Sequence, residues 1–230
     1  MVTVNYICNP YTLNIFSDAS TTTIKGITSG CYGAIAINQN NMIDNLCKLS
    51  SDSTSNNCEI KALRSALCLA DKYKHMYKYI NIYADSLVSV DGIRNYIYNW
   101  RYDQATNMLY TKTGTPAGNQ EVFVECFMIL NQIKAVNPNI RIFYQPGHMD
   151  PNKTKDRATA NTKFKTFNGI KAPIDDNYIR YICLYNNLID NTTRNYLLAS
   201  DIAKVNYEDG LSFNPSIVDK FRRGEYNNNG

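Results

Sequence analysis

YINIYADS, residues 79–86, is the stretch on which the fold turns. Its first six residues are almost continuously apolar and stop at Asp85. That pattern suits a parallel strand covered on both faces, because alternate side chains then meet two buried surfaces instead of core and water. Parallel strands cannot be joined by a tight turn, so the flanks must supply crossover helices. They do. From Cys58 to Tyr79 the period changes: Ile60, Leu63, Leu67, Cys68 and Ala70 share one helical face, and the preceding Ser-Asn-Asn offers capping side chains. Downstream, Ser86 to Trp100 reads as a second helix.

Further out, Leu13 to Ser17 (LNIFS) is a short strand ending at Asp18, and Cys31 to Asn38 (CYGAIAIN) is another. The polar stretch Ser20 to Gly30 reads as the connection between them, and Asn41 to Ser50 as a third strand in the same meander. Beyond Trp100 come a polar irregular stretch (Asp103 to Gly118), a helix (Glu121 to Lys134), a strand (Ile140 to Gln145), Pro146-Gly147-His148, and a helix from Lys155. The order β-β-β-α-β-α-α-β-α predicts an α/β fold with helices packed on a mixed five-stranded sheet. Residues 1–168 form the expected α/β domain. Residues 169–230 read as a helical extension of three pieces: Asp176 to Asp190, Thr192 to Val205 and Pro215 to Arg223.

The 230 residues, 44% hydrophobic and 19% charged, are enough for one substantial core plus an appendage. No apolar run reaches about eighteen residues, and the first residues lack a secretory pattern, so a soluble, cytoplasmic protein without membrane contact is expected. Seven cysteines, odd in number and never spaced C-x-x-C, indicate neither a disulfide framework nor a structural zinc site. A net charge of +4 excludes a protein that coats nucleic acid by charge alone. Residues 1–168 carry 17 Lys and Arg against 12 Asp and Glu, so the basic excess lies with the candidate acids. The richness in Asn, Tyr, Ile and Lys fits an AT-rich genome, viral and phage genomes among them.

Those acids carry the chemistry. Asp18 and Asp85 each end an expected strand, and in open α/β sheets that edge collects active sites. Glu59 lies in the first turn of the helix feeding the Asp85 strand. If the two strands are neighbours, three carboxylates converge, and they repel unless a cation neutralises them. Hard oxygen ligands suit Mg²⁺ or Mn²⁺. A lone aspartate at a strand end is ordinarily a helix cap; three acids placed in this way argue for more.

Several short motifs, in order, then resemble type 1 ribonuclease H. Asp18-Ala19-Ser20 resembles its D-G-S strand, and Gly30-Cys31-Tyr32-Gly33-Ala34 its glycine-containing second strand. Asn56-Asn57-Cys58-Glu59 is similar to its N-N-x-x-E helix start, one residue shorter. Tyr83-Ala84-Asp85-Ser86, followed by Asn99-Trp100, resembles its T-D-S strand end and N-W helix end. Pro146-Gly147-His148, with Asn152 and Asp156, resembles its K-G-H loop and N-x-x-x-D continuation. The likeness spans roughly residues 12–165; the C-terminal extension lies outside it.

The resemblance implies a ribonuclease H-like fold and hydrolysis of the RNA strand of an RNA–DNA hybrid, leaving 5′-phosphate and 3′-hydroxyl ends. It implies that Asp18, Glu59, Asp85 and Asp156 hold two Mg²⁺ (or Mn²⁺) ions, with His148 assisting proton transfer or product release. A short loop after His148 leaves Asp150 as a competitor for the fourth position. Asn57, Asn56, Ser20, Ser86 and Asn152 are the implied substrate contacts, reading 2′-hydroxyls in the minor groove. Arg101 and Lys112 are candidates for phosphates of the DNA strand. The lysine-rich run at residues 153–165 has the ordinary meaning of a solvated helix face, and Tyr178, Tyr181, Tyr185 and Tyr196 that of core packing. The C-terminal helices are left as a surface for a protein partner. Two other readings stay open: another nuclease of this fold, and a non-catalytic binding or structural module that retains it.

Overall fold

The computed structural model describes residues 9–208 except 25, 26, 52, 53 and 107. Cys8, the helix expected over Pro215 to Arg223 and the end of the chain lie outside the described residues. Strands β1 (Thr12–Ile24), β2 (Ile27–Asn38) and β3 (Asn41–Ser51) form the antiparallel meander. Helix α1 (Ser55–Tyr73) crosses over to β4 (Tyr79–Ala84), which pairs in parallel with β1. Helix α2 (Leu87–Asp91) continues through a π turn (Gly92–Tyr96) and a 3₁₀ turn (Ile97–Asn99) into the short hairpin β5 (Arg101–Asp103) and β6 (Met108–Tyr110). Helix α3 (Gln120–Val136) returns the chain to β7 (Ile140–Tyr144), parallel to β4, before α4 (Thr154–Phe167) and α5 (Asp176–Glu208). The sheet order is β3-β2-β1-β4-β7, the mixed five-stranded sheet expected from the sequence.

Strand alternation assigns the two faces. Leu13, Ile15, Ile80, Ile82, Ile140 and Ile142 face α1, α2 and α3 in an aliphatic core. Phe16, Ile35, Ile37 and Tyr83 face the other way and are covered by α4 and α5. Both faces of β4 are therefore buried, which is why its sequence reads as an unbroken apolar run.

Several expectations are corrected. The expected connection over Ser20 to Gly30 is largely strand: β1 runs on to Ile24 and β2 begins at Ile27, because Thr21, Thr22 and Thr23 suit a pleated strand and Thr23 pairs its hydroxyl with Thr28 at 3.0 Å. Helix α1 ends at Tyr73, not Tyr79, where the Asn137 side chain caps the carbonyls of Lys74 and Tyr77 at 3.2 and 2.7 Å. Its cap is Thr54, one residue before the Ser-Asn-Asn triplet, and Cys68 is exposed rather than on the buried face. The stretch after Trp100 holds the β5–β6 hairpin, whose turn is closed by Asp103 Oδ1 accepting from the Ala105 N–H at 2.9 Å. Finally, Asp176–Glu208 is one helix, not two. No glycine or proline interrupts residues 190–193, and Thr192 and Thr193 return their hydroxyls to the carbonyls of Leu188 and Asp190. No helix among the described residues is long and apolar enough to cross a membrane.

Candidate active site

The last parallel pair between β1 and β4 is Ser17 with Ala84. Asp18 and Asp85 are the next residues on each strand, so both carboxylates emerge where the two strands part. Asp18 lies inside the long β1, not at its end as the sequence suggested. Glu59 arrives from the other direction, in the first turn of α1. That turn sits tight against β2 because residue 30 is glycine: a Cβ there would lie 2.3 Å from Cys58 Sγ. As a result, one oxygen each of Asp18, Glu59 and Asp85 lies within 4.8 Å of the others.

The cluster is buried at Asp18, half-buried at Glu59 and Asp85, and short of donors. Asp18 is only 2% exposed. Its Oδ1 accepts from the Ala19 N–H at 2.7 Å, whereas Asp18 Oδ2 and Asp85 Oδ1 are buried with no hydrogen-bond partner. Burial first, then the charges of Asp85 and Glu59, push the Asp18 carboxyl up to about 10. Burial and Asp85 likewise push Glu59 up to about 9. Burial raises Asp85 too, opposed by the nearby His148. Unpaired carboxylate oxygens at such depth are costly, and an all-oxygen donor set of this kind fits a hard divalent cation such as Mg²⁺ or Mn²⁺.

The Pro-Gly-His loop closes one side. Gly147 lies directly against Asp85, so close that a Cβ would come within 2.3 Å of Asp85 Oδ2. His148 follows in the left-handed region (φ 55°), mostly exposed, with Nδ1 3.5 Å from Asp190 Oδ2.

Asp156 is not in the three-acid group; its Oδ2 accepts from the Asp150 N–H at 3.1 Å. Asp150 is also outside the group and faces Lys153. Asn57 donates to Asn119 Oδ1 at 2.9 Å, and Asn56 is exposed on a groove of about 560 Å³ shared with Asn99, Trp100, Lys112 and Asn119. Ile60 and Val88 in the same groove place it beside Glu59 and Asp85. Ser86 caps α2, Ser20 meets Thr193 at 3.1 Å, and Asn152 accepts from Arg180 at 3.0 Å. Arg101 is exposed on β5.

Sequence reasoning missed Asp190. It lies on the sheet-facing stripe of α5 with Ile182, Asn186, Ile189 and Thr193, all buried. An acid at a position where helical periodicity calls for an apolar residue was the available signal.

A mixed sheet of this order, with three carboxylates gathered where its central parallel strands part, defines an α/β protein with an acidic cluster that could hold a metal ion. The RNase H family pattern matches residues 10–163, and the chain belongs to that family. No curated protein sequence matches. Among solved structures, the fold is similar to a foamy viral protease-reverse transcriptase solved in complex with an RNA/DNA hybrid, at 12% identity and a TM-score of 0.51. That match covers 73% of this chain and only 21% of that one. The PFV RNase H domain is similar at 15% identity and a TM-score of 0.47, over 69% of this chain and 94% of that one. RNase H1 from Halobacterium salinarum matches at 13% identity and a TM-score of 0.39, over 59% and 86%.

Proposed function

We propose that this protein is a metal-dependent endonuclease that hydrolyses the RNA strand of RNA–DNA hybrids, leaving 5′-phosphate and 3′-hydroxyl ends. The observation that carries the reading is the close triad of Asp18, Glu59 and Asp85, two of whose oxygens are buried without any donor. Membership of the RNase H family supports the hybrid as substrate.

Asp18, Glu59 and Asp85 would hold the cations. When bound, paired Mg²⁺ or Mn²⁺ ions activate the attacking water and offset the charge developing on the leaving 3′ oxygen. The chain's own residues do the rest. Gly147 keeps the loop backbone against Asp85 and so limits that carboxylate's movement. His148, exposed and next to the Gly147 that lies against Asp85, would pass a proton between the leaving group and water. The groove beside Glu59 offers Asn56 for 2′-hydroxyls, Trp100 for stacking and Lys112 for phosphate.

The test is a labelled RNA–DNA hybrid with duplex RNA and duplex DNA as controls, with Mg²⁺ or EDTA. The hybrid alone should be cut, with Mg²⁺ required, and Asp85→Asn should lower the rate at least about a thousandfold. Cleavage that persists in EDTA or in Asp85→Asn removes the proposal.

A further inference from the structure

Strand alternation points Asp18 to the same side of the sheet as Asn14 and Phe16, the side that α5 covers. Helix α5 runs alongside β1. Tyr181 Oη accepts from Asn14 Nδ2 at 3.2 Å, and Thr193 meets Ser20 at 3.1 Å. A helix rises about 1.5 Å per residue and a strand about 3.3 Å. Between those two tie points, Asp190 therefore comes level with Asp18. It is buried, at 8% exposure.

We propose that Asp190, carried by the C-terminal helix outside the family match, is the fourth carboxylate of the metal site, in the role that sequence resemblance gives to Asp156. The inference rests on the reading of Asp18, Glu59 and Asp85 as a divalent-cation site. Asp190 stands outside the 4.8 Å triad, but its Oδ2 faces His148, whose neighbour Gly147 lies directly against Asp85. Asp156 turns instead to the Asp150 N–H, from which it accepts at 3.1 Å. The buried, donorless Asp18 Oδ2 is an independent sign that this space receives a ligand. Asp190's present partners lie on the solvent side: Arg194 Nη2 is 3.0 Å from both its oxygens, and His148 Nδ1 is 3.5 Å from Oδ2. Asp190 thereby links the metal site to the histidine. The C-terminal helix would be part of the active site, not an appendage.

The experiment is a calorimetric titration of the full chain with Mn²⁺, without nucleic acid, for wild type, Asp190→Asn, Asp156→Asn, Arg194→Gln and Asp85→Asn. Asp190→Asn should weaken Mn²⁺ binding at least about tenfold, while Asp156→Asn and Arg194→Gln change it less than about twofold. Wild-type binding by Asp190→Asn overturns the proposal. So does an equal loss in Arg194→Gln, because Asp190 would then act through the arginine. Asp85→Asn separates the two readings: if it also binds as wild type does, the triad itself is not the cation site. Melting with and without Mn²⁺ is the second readout: Mn²⁺ should raise the Tm of wild type by more than that of Asp190→Asn, and an equal rise in both overturns the proposal.

Discussion

The two faces of the sheet are built on different principles. The α1 face is aliphatic: Leu63, Ala66, Leu67 and Ala70 of α1 meet Leu13, Ile15, Ile80 and Ile82 through contacts with no directional preference. The α5 face is aromatic and hydrogen-bonded. Phe16 stacks on Tyr83 with ring centroids 4.7 Å apart, and Tyr83 Oη lies 2.7 Å from Tyr178 Oη. Asn14 accepts from Asn81 and Tyr83 while donating to Tyr181. An aliphatic layer holds a helix against a sheet but lets it shift along it; a polar network buried among rings fixes its register. The hydrogen-bonded face is the one along which α5, with Asp190, lies on β1.

The largest test of this contrast is a pair of truncations. Phe16→Ala should cost about 3–5 kcal/mol and Leu67→Ala about 2–5 kcal/mol by denaturant unfolding. Only Phe16→Ala should also weaken Mn²⁺ binding by the folded protein. Equal effects on the metal from both faces would break the comparison. Next in size, Gly147→Ala should slow hybrid cleavage at least about tenfold, near 1.4 kcal/mol in barrier, by displacing Asp85. Its Tm should stay close to that of wild type, because the loop contact is local. Tyr83→Phe removes one hydroxyl from the network on Asn14 and Tyr178 and should cost about 1–2 kcal/mol, with circular-dichroism melting as the measure.

The smallest effect is a slope. Folded Asp18 and Glu59 titrate near 10 and 9, above the ordinary carboxyl range of about 4 in an unfolded chain. Groups raised in this way contribute stability that is complete below the unfolded value and is lost as pH rises through the folded ones. The metal-free protein should therefore melt at lower temperature as pH goes from 6 to 8, about where few other groups titrate. Asp18→Asn should flatten that decline, and Mg²⁺ should as well. A decline that neither changes would place its source elsewhere.

Local patterns foretold the sheet well. YINIYA declared a doubly covered strand, and the intervals around Asp18, Glu59 and Asp85 anticipated a meeting that the β1–β4 pairing brings about. The errors cluster where local and tertiary signals diverge. Threonines in β1 read as a loop because they are polar, although their branching suits a strand. The break expected within α5 does not occur, since two threonines satisfy the helix with their own hydroxyls. No local motif pointed to Asp190, because the contacts that lay α5 along β1 join residues far apart in the chain.

Sequence alone determined the order of the five sheet strands along the chain, the two-faced burial of β4 and three of the acids, because periodicity and short-range spacing act within a few turns of chain. Which helix covers the aromatic face, and so which further charge stands near Asp18, was decided only by tertiary packing. Residues 18 and 190 are separated by most of the chain, and nothing local to either specifies the other. Their proximity follows from rings and amides that interlock only once the sheet is formed.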